Sequence, residues 1–316
     1  MIRQVQPDRR GERGQIVAIF ALSLVVVITM AGLVIDGGFT FVQRRDQQNV
    51  VDAAALAAAY AYGNASASSS DATKTGAARS AALAIAGVNG YTQGTGGVNV
   101  TVTWDAPGGA GRHFTVTIVK PHRNYFAGIV GMPTWDVATT ATSEAGRPNA
   151  ALGAMPIIVN EKAFVTNGAG PSHPFTYVQA GDTGPNPIPQ QSTTFNWTMY
   201  CDRCNADTNT VVGLIAGGGT ATVVNLDDKI DPLNSGVHNP LFTALEAKVG
   251  TEFPIPIVND FGKMVGWAMF HLTESNKTTR VISGWFVSPI NPSAMTIVDG
   301  VTSGGDAGSY IARLVH

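Results

Sequence analysis

The sequence predicts an α+β protein. A single N-terminal transmembrane helix continues into an Ala-rich helix, followed by an exported α+β or mainly-β region. Three observations point there. Residues 16–35, IVAIFALSLVVVITMAGLVI, are an uncharged apolar run of 20 residues. Residues 44–62, RRDQQNVVDAAALAAAYAY, are almost pure helix formers with an alanine side. Beyond residue 98, stretches such as VNVTVTW and HFTVTIV alternate apolar and polar residues, the period of a half-buried strand.

The apolar run decides topology. At about 1.5 Å per residue it spans roughly 30 Å, the thickness of a bilayer hydrocarbon core. Its only hydroxyls, Ser23 and Thr29, can bond back to the helix backbone. Arg3, Arg9, Arg10 and Arg13 precede it, whereas Arg44 and Arg45 follow nine and ten residues past its end. The positive-inside rule then places the N-terminus in the cytoplasm and exports the rest. A cleaved signal peptide has a shorter core ending at small residues; here the run continues through Leu33, Val34 and Ile35, past the small-residue site near Ala31. A buried core helix is disfavoured by 20 unbroken apolar residues at an arginine-flanked N-terminus.

Composition bounds the rest. The 316 residues suffice for one large domain or two ordinary ones, and 44% apolar content excludes a disordered chain. A net charge of −2 leaves no basic excess to neutralise phosphates, so no nucleic-acid partner is expected.

The expected organisation is a basic cytoplasmic tail at 1–15, the membrane span from Ile16 to Ile35, an Ala-rich stalk with a small α+β layer at 36–148, and an exported C-terminal domain at 149–316. DGGF at 36–39 marks the exit from the bilayer. Gly37 and Gly38 allow a kink, and Asp36 belongs at headgroup level. In the stalk helix, Arg45, Gln48, Asn49 and Asp52 share a polar face. Val50, Ala53, Ala57 and Tyr60 form the candidate helix-packing face. Small residues permit close approach of another helix, either the alanine-rich segment 77–86 of this chain or a helix of another subunit.

Residues 65–76 read as a small polar linker and 77–87 as a second helix. Strands at 98–104 and 113–119 make a hairpin, followed by a short helix at 124–132 and a strand at 134–145. After RPNAALG at 147–153, short strands are expected at 156–160, 195–200, 211–215 and 221–226, and a helix at 240–250. Stronger strands follow at 253–258, 264–274 and 279–288.

The order of these pieces resembles a known family. RGQ at 13–15, the span, Asp36 and QNVVDAAALAAA at 48–59 together look like the N-terminal segment of TadE/TadG-like Flp pilus-assembly proteins. NYFAGIVGMPTWDVATTATSEA at 124–145 is similar to the family's following segment, and FPIPIVND, VGWAMFHLTE and ISGWFV resemble the distal part of longer TadG-like chains. The resemblance implies a single-pass protein of the bacterial inner membrane, part of the tight-adherence pilus machinery. It also implies an exported domain that contacts other pilus-machinery subunits. Two family features are absent. No D-x-S-x-S occurs, so the von Willebrand A metal site is not carried over. The prepilin pattern places Glu five residues after the Gly at the cut; here Glu12 follows Gly11 directly, and Ile16 and Ile19 stand five after Gly11 and Gly14. A rival reading is a membrane-anchored extracytoplasmic binding or adhesion module unrelated to pili.

No catalytic, cofactor or metal residues are assigned, and no small-molecule substrate is evident. G-x-S-x-G, Walker A and H-E-x-x-H are all missing, and no two of the six histidines stand at metal-ligand spacing. The expectation is therefore a non-enzymatic protein. Cys201 and Cys204, in CDRC, read as a small-loop disulfide in an oxidising compartment, with a redox pair and a zinc half-site as the alternatives. Asp227, Asp228 and Asp231 cluster in NLDDKID without calcium-loop spacing, which favours a solvated acidic turn over a calcium site. AGGGT at 216–220 reads as a flexible turn.

Overall fold

The structure is a computed structural model describing residues 10–65, 69–106, 111–167, 170–180, 188–200, 207–230, 233–234, 238–287, 294–298 and 310–315. Its backbone contacts divide into two compact units. One comprises Met1–Ala54, Leu83–Val102 and Val116–Ala141; the other comprises Ala55–Ala82, Thr103–Thr115 and Thr142–His316.

Helix α1 (Arg10–Asn64) contributes its first part to the first unit and runs for 55 residues without interruption. The kink that Gly37 and Gly38 allow does not interrupt the helix; both glycines are helical, and a Cβ at either would meet no atom within 4 Å. Two glycines weaken a helix but do not end one whose neighbouring residues are held by other contacts. From Ile16 to Ile35 every large apolar side chain is exposed, as in a helix whose solvent is lipid rather than a protein core. Ser23 and Thr29 bond back to the carbonyls of Phe20 and Val25, each at 2.8 Å.

The polar linker is shorter than expected, because helix α2 (Asp71–Val88) begins six residues before the predicted start at 77. The Ser70 hydroxyl accepts the Thr73 N–H and caps its first turn. Thr75, Ala78, Ala82 and Ala86 form its buried stripe.

The expected hairpin and third strand are present as β1 (Asn99–Trp104), β2 (Gly111–Arg123) and β3 (Thr134–Gly146). In β2, Phe114, Val116 and Ile118 alternate into the core as the period-two pattern requires. Between β2 and β3, the expected short helix is a single 3-10 turn, Ala127–Val130, closed by Gly131 at φ 91°. The C-terminal strand β14 (Ile311–Val315) completes a sheet of order β1-β2-β3-β14. β14 lies antiparallel to β3, so the division at 148/149 expected from sequence is crossed by the chain's own last strand.

The second unit contains a closed barrel. Its strands are β5 (Ile157–Asn160), β6 (Phe175–Gln179), β7 (Thr194–Thr198), β10 (Glu252–Val258), β11 (Met264–Asn276) and β12 (Val281–Phe286). They follow one another as β5-β10-β11-β12-β6-β7, and a β5–β7 pairing closes the ring. The two-residue strand β9 (Leu233–Asn234) adds to β7, and the short helix α3 (Glu161–Asn167) follows β5. In β10, Phe253, Ile255 and Ile257 face one core, while Pro254 and Pro256 alternate with them. β5 pairs β10 only at Ile257 and Val258, so neither proline N–H is missed by that neighbour.

One segment changes class. Residues 211–215, expected as a strand from Val211, Val212 and Ile215, lie in helix α4 (Thr208–Gly217). Asp207 caps its start by accepting the Thr210 N–H, and Gly218, at φ 85°, closes its end. These two caps outweigh the modest strand preference of the β-branched residues between them. Helix α5 (Asn239–Glu246) follows as expected, and Leu241, Phe242 and Leu245 join Val211 and Ile215 in the barrel's core cluster. The strand expected at 221–226 shrinks to β8 (Val224–Asn225), which pairs with β4 (Ala150–Ala151). β13 (Met295–Thr296) lies on the other side of β4.

Candidate functional site

The most organised polar constellation lies on α1, just beyond the apolar run. Gly32, Asp36, Thr40, Gln43 and Gln47 recur at intervals of four, four, three and four, which is one face of a helix. Apolar residues would be expected on a buried face. Instead, polar side chains here reach backbone atoms of the segments packed alongside.

Asp36 is fully buried. Its Oδ1 accepts the Tyr125 N–H at 2.9 Å, and its Oδ2 accepts the Phe126 and Ala127 N–H groups at 2.9 and 2.7 Å. These donors stand at the start of the 3-10 turn, whose first N–H groups have no partners within the turn. Burial alone pushes the Asp36 carboxyl up; the N–H groups of Ala127, Tyr125 and Phe126, with His122 nearby, outweigh it, and the net shift is downward.

The next rungs continue upward. The Thr40 hydroxyl bonds back to the Asp36 carbonyl and accepts Trp135 Nε1–H, both at 2.9 Å. Gln43 Oε1 lies 2.7 Å from Nδ1 of buried His122, whose ring stacks on Trp135 with centroids 6.2 Å apart. Gln47 Nε2 donates to the carbonyls of Ile118 and Val137 at 2.6 and 2.9 Å, tying α1 to β2 and β3 at once. Below Asp36, Phe126 packs directly on Gly32, where a Cβ would collide with its side chain. Beside the seam is a cleft of about 440 Å³ lined by residues including Phe39, Asp46, Tyr91, Lys120, Arg123 and Tyr125.

This arrangement can anchor, orient and fill backbone hydrogen-bonding capacity. Its polar groups are engaged in holding the helix to the sheet rather than converging on a reacting atom.

The packing face named from sequence is not the one buried within this chain. Ala53 and Tyr60 are exposed, and Val50 and Ala57 are half-buried. The buried face comprises Gln47, Val51, Ala54, Ala55, Ala58 and Ala59. Val51, Ala54, Ala55, Ala58 and Ala59 form an apolar stripe of their own about one residue further round, so in so alanine-rich a helix apolar spacing does not choose between the two faces. Apolar patterning singles out none of Thr40, Gln43 and Gln47, although their spacing carries the signal. Asp36, expected at headgroup level, is buried against the backbone donors of Tyr125, Phe126 and Ala127.

Cys201, Cys204 and Asp231 lie outside the described residues. Asp228 accepts the Asn225 N–H at 2.7 Å within its own turn. In AGGGT, Gly217 ends α4, and Gly218 and Gly219, at φ 85° and 101°, make the turn that follows it. His113 pairs with Asp105 at 2.8 Å, and His271 stacks on Trp285 with centroids 4.1 Å apart.

With this geometry in place, the comparisons with known proteins fall on the same helix. Residues 14–61 match the model of a family described as "Putative Flp pilus-assembly TadE/G-like". The matched TadE/G-like segment covers the apolar run, the whole Asp36–Gln47 seam and the alanine stripe above it. It is also the one helix among the described residues long and apolar enough to cross a membrane. No curated protein and no solved structure matches the chain.

Proposed function

We propose that the protein is a single-pass membrane component of a Flp/Tad-type pilus-assembly or secretion apparatus, acting through protein contacts of an exported domain and not through catalysis. The supporting observation is the coincidence of the TadE/G-like match with a helix that is bare along its apolar run and docked immediately beyond it. Such a helix holds a folded body at a set height above the bilayer. In this reading the N-terminus is cytoplasmic, the membrane is the bacterial inner membrane, and the partners are other subunits of the pilus machine.

Two measurements test it. Deleting the gene should reduce surface pili, with restoration by the full chain; normal piliation in the deletion strain refutes the assembly role. A reporter fused after His316 should be active only outside the cytoplasm; activity of a cytoplasmic reporter there reverses the orientation.

A further inference from the structure

We infer that the 124–132 loop is a second membrane contact, an interfacial loop seated in the leaflet at the outer end of the span. The inference rests on the anchoring role proposed for α1. Three independent observations carry it.

The first is height. Phe126 packs on Gly32, which lies inside the apolar run and about 4.5 Å of helix rise short of its end at Ile35. The loop is therefore level with the last turn of the span, and lipid is the solvent at that level.

The second is the exposed surface. Tyr125, Ile129 and Met132 are 63%, 80% and 54% exposed, although the loop spans only nine residues. Tyr125 sits against exposed Phe39 of α1 with ring centroids 6.1 Å apart. Lys120 and exposed Arg123 stand at the cleft immediately before the loop. Aromatic and basic residues grouped around an apolar tip match the chemistry of the bilayer interface, where rings sit at headgroup level and cations meet lipid phosphates.

The third is the backbone. A loop entering lipid must satisfy its own polar groups. Asp36 takes the N–H groups of Tyr125, Phe126 and Ala127. Ile129 donates to Phe126, Gly131 to Gly128, Met132 to Ala127, and Asn124 to Pro133. The Asn124 side chain donates to the Met132 carbonyl at 2.9 Å. Asp36 thereby closes three donors that would otherwise stand unmatched at the level of the span.

The test is photocrosslinking in the full chain, reconstituted into phosphatidylethanolamine–phosphatidylglycerol vesicles. p-Benzoyl-phenylalanine is placed singly at Ile129, at Leu24 within the span, and at exposed Phe261 in the turn after β10. Lipid adducts are read by mass spectrometry. The expected result is an adduct at Ile129 comparable with that at Leu24, and its loss at Phe261. An adduct at Leu24 without one at Ile129 overturns the loop's membrane contact while leaving the anchor standing. So does a protein adduct at Ile129, which would make the loop a subunit contact, or equal lipid labelling at Phe261. No adduct at Leu24 overturns the anchor and the inference together.

Discussion

Replacing Gln47 tests whether the polar seam fastens α1 to the sheet. Gln47 is fully buried, and its Nε2 donates to Ile118 and Val137. A neutral side-chain bond of this kind contributes about 1 kcal/mol net, so the pair contributes about 2 kcal/mol. Its Oε1 has no partner among the described residues, which offsets part of that gain. Gln47→Met keeps the volume, loses both bonds and removes the orphan oxygen; the expected cost is about 1–2 kcal/mol. Gln47→Ala also opens a void where the side chain packed, raising the cost to about 3 kcal/mol. At about 2–4 °C per kcal/mol, the melting temperature should fall by about 2–8 °C for Met and about 6–12 °C for Ala. The assay is thermal unfolding of the full chain in lipid vesicles, followed by circular dichroism. Gln48→Met is the control. Its Nε2 bonds Asp52 one turn on in α1 at 2.8 Å and Thr140 at a long 3.3 Å; a helix-surface pair of that kind contributes only about 0.2–0.5 kcal/mol, so its substitution should stay within about 0.5 kcal/mol of neutral. Melting within about 1 °C of the parent for both Gln47 variants would refute the reasoning. So would a Gln48→Met loss as large as that of Gln47→Met.

Three further outcomes are expected. Asp36→Asn should destabilise the chain most at neutral pH. The folded carboxyl titrates below its ordinary value of 3.8, so its stabilisation is fully present above that value and is lost as pH falls through the folded one; the gap in melting temperature between parent and variant should close only in that acidic range. Arg313→Ala removes the guanidinium held 2.7 Å from Glu144, whose side chain is 5% exposed, and among the described residues leaves it only His113 Nε2 at 3.9 Å. Because Arg313 is itself 43% exposed, the expected cost is about 2 kcal/mol rather than the roughly 3–5 of a wholly buried pair, read as a lower denaturation midpoint. Gly219→Ala places a Cβ against the Gly153 carbonyl at a positive φ of 101°, and should cost about 2 kcal/mol or more by the same measurement.

Much of the first sheet was legible from local pattern. The alternation in VNVTVTW, HFTVTIV and TWDVATTATSEA is a property of neighbouring residues, and each stretch forms a strand. The TVVGLIA segment misled because its β-branched residues speak for a strand, while the deciding signals sit at its ends, in Asp207 and Gly218. Short strands such as β6 and β14 carry too few residues for a period to show; pairing with β12, β7 and β3 defines them.

The seam obeys the same logic. A face with Asp36, Thr40, Gln43 and Gln47 looks solvent-facing by hydropathy, and only the backbone and side-chain partners brought beside it turn it inward, with Asp36 and Gln47 fully buried. Above it the helix is apolar on more than one side, and packing rather than spacing selects Val51, Ala54, Ala55, Ala58 and Ala59 as the buried face.

By itself, the sequence determined the apolar run of α1, the helical character of the alanine-rich segment beyond that run, and the resemblance that the family match bears out over residues 14–61. Those depend on composition and spacing within a single segment. Tertiary structure alone decided that the last strand returns to the first sheet and that Asp36 meets the backbone of residues 125–127. Each joins residues far apart in the chain, and no local period records which distant backbone groups will need a partner.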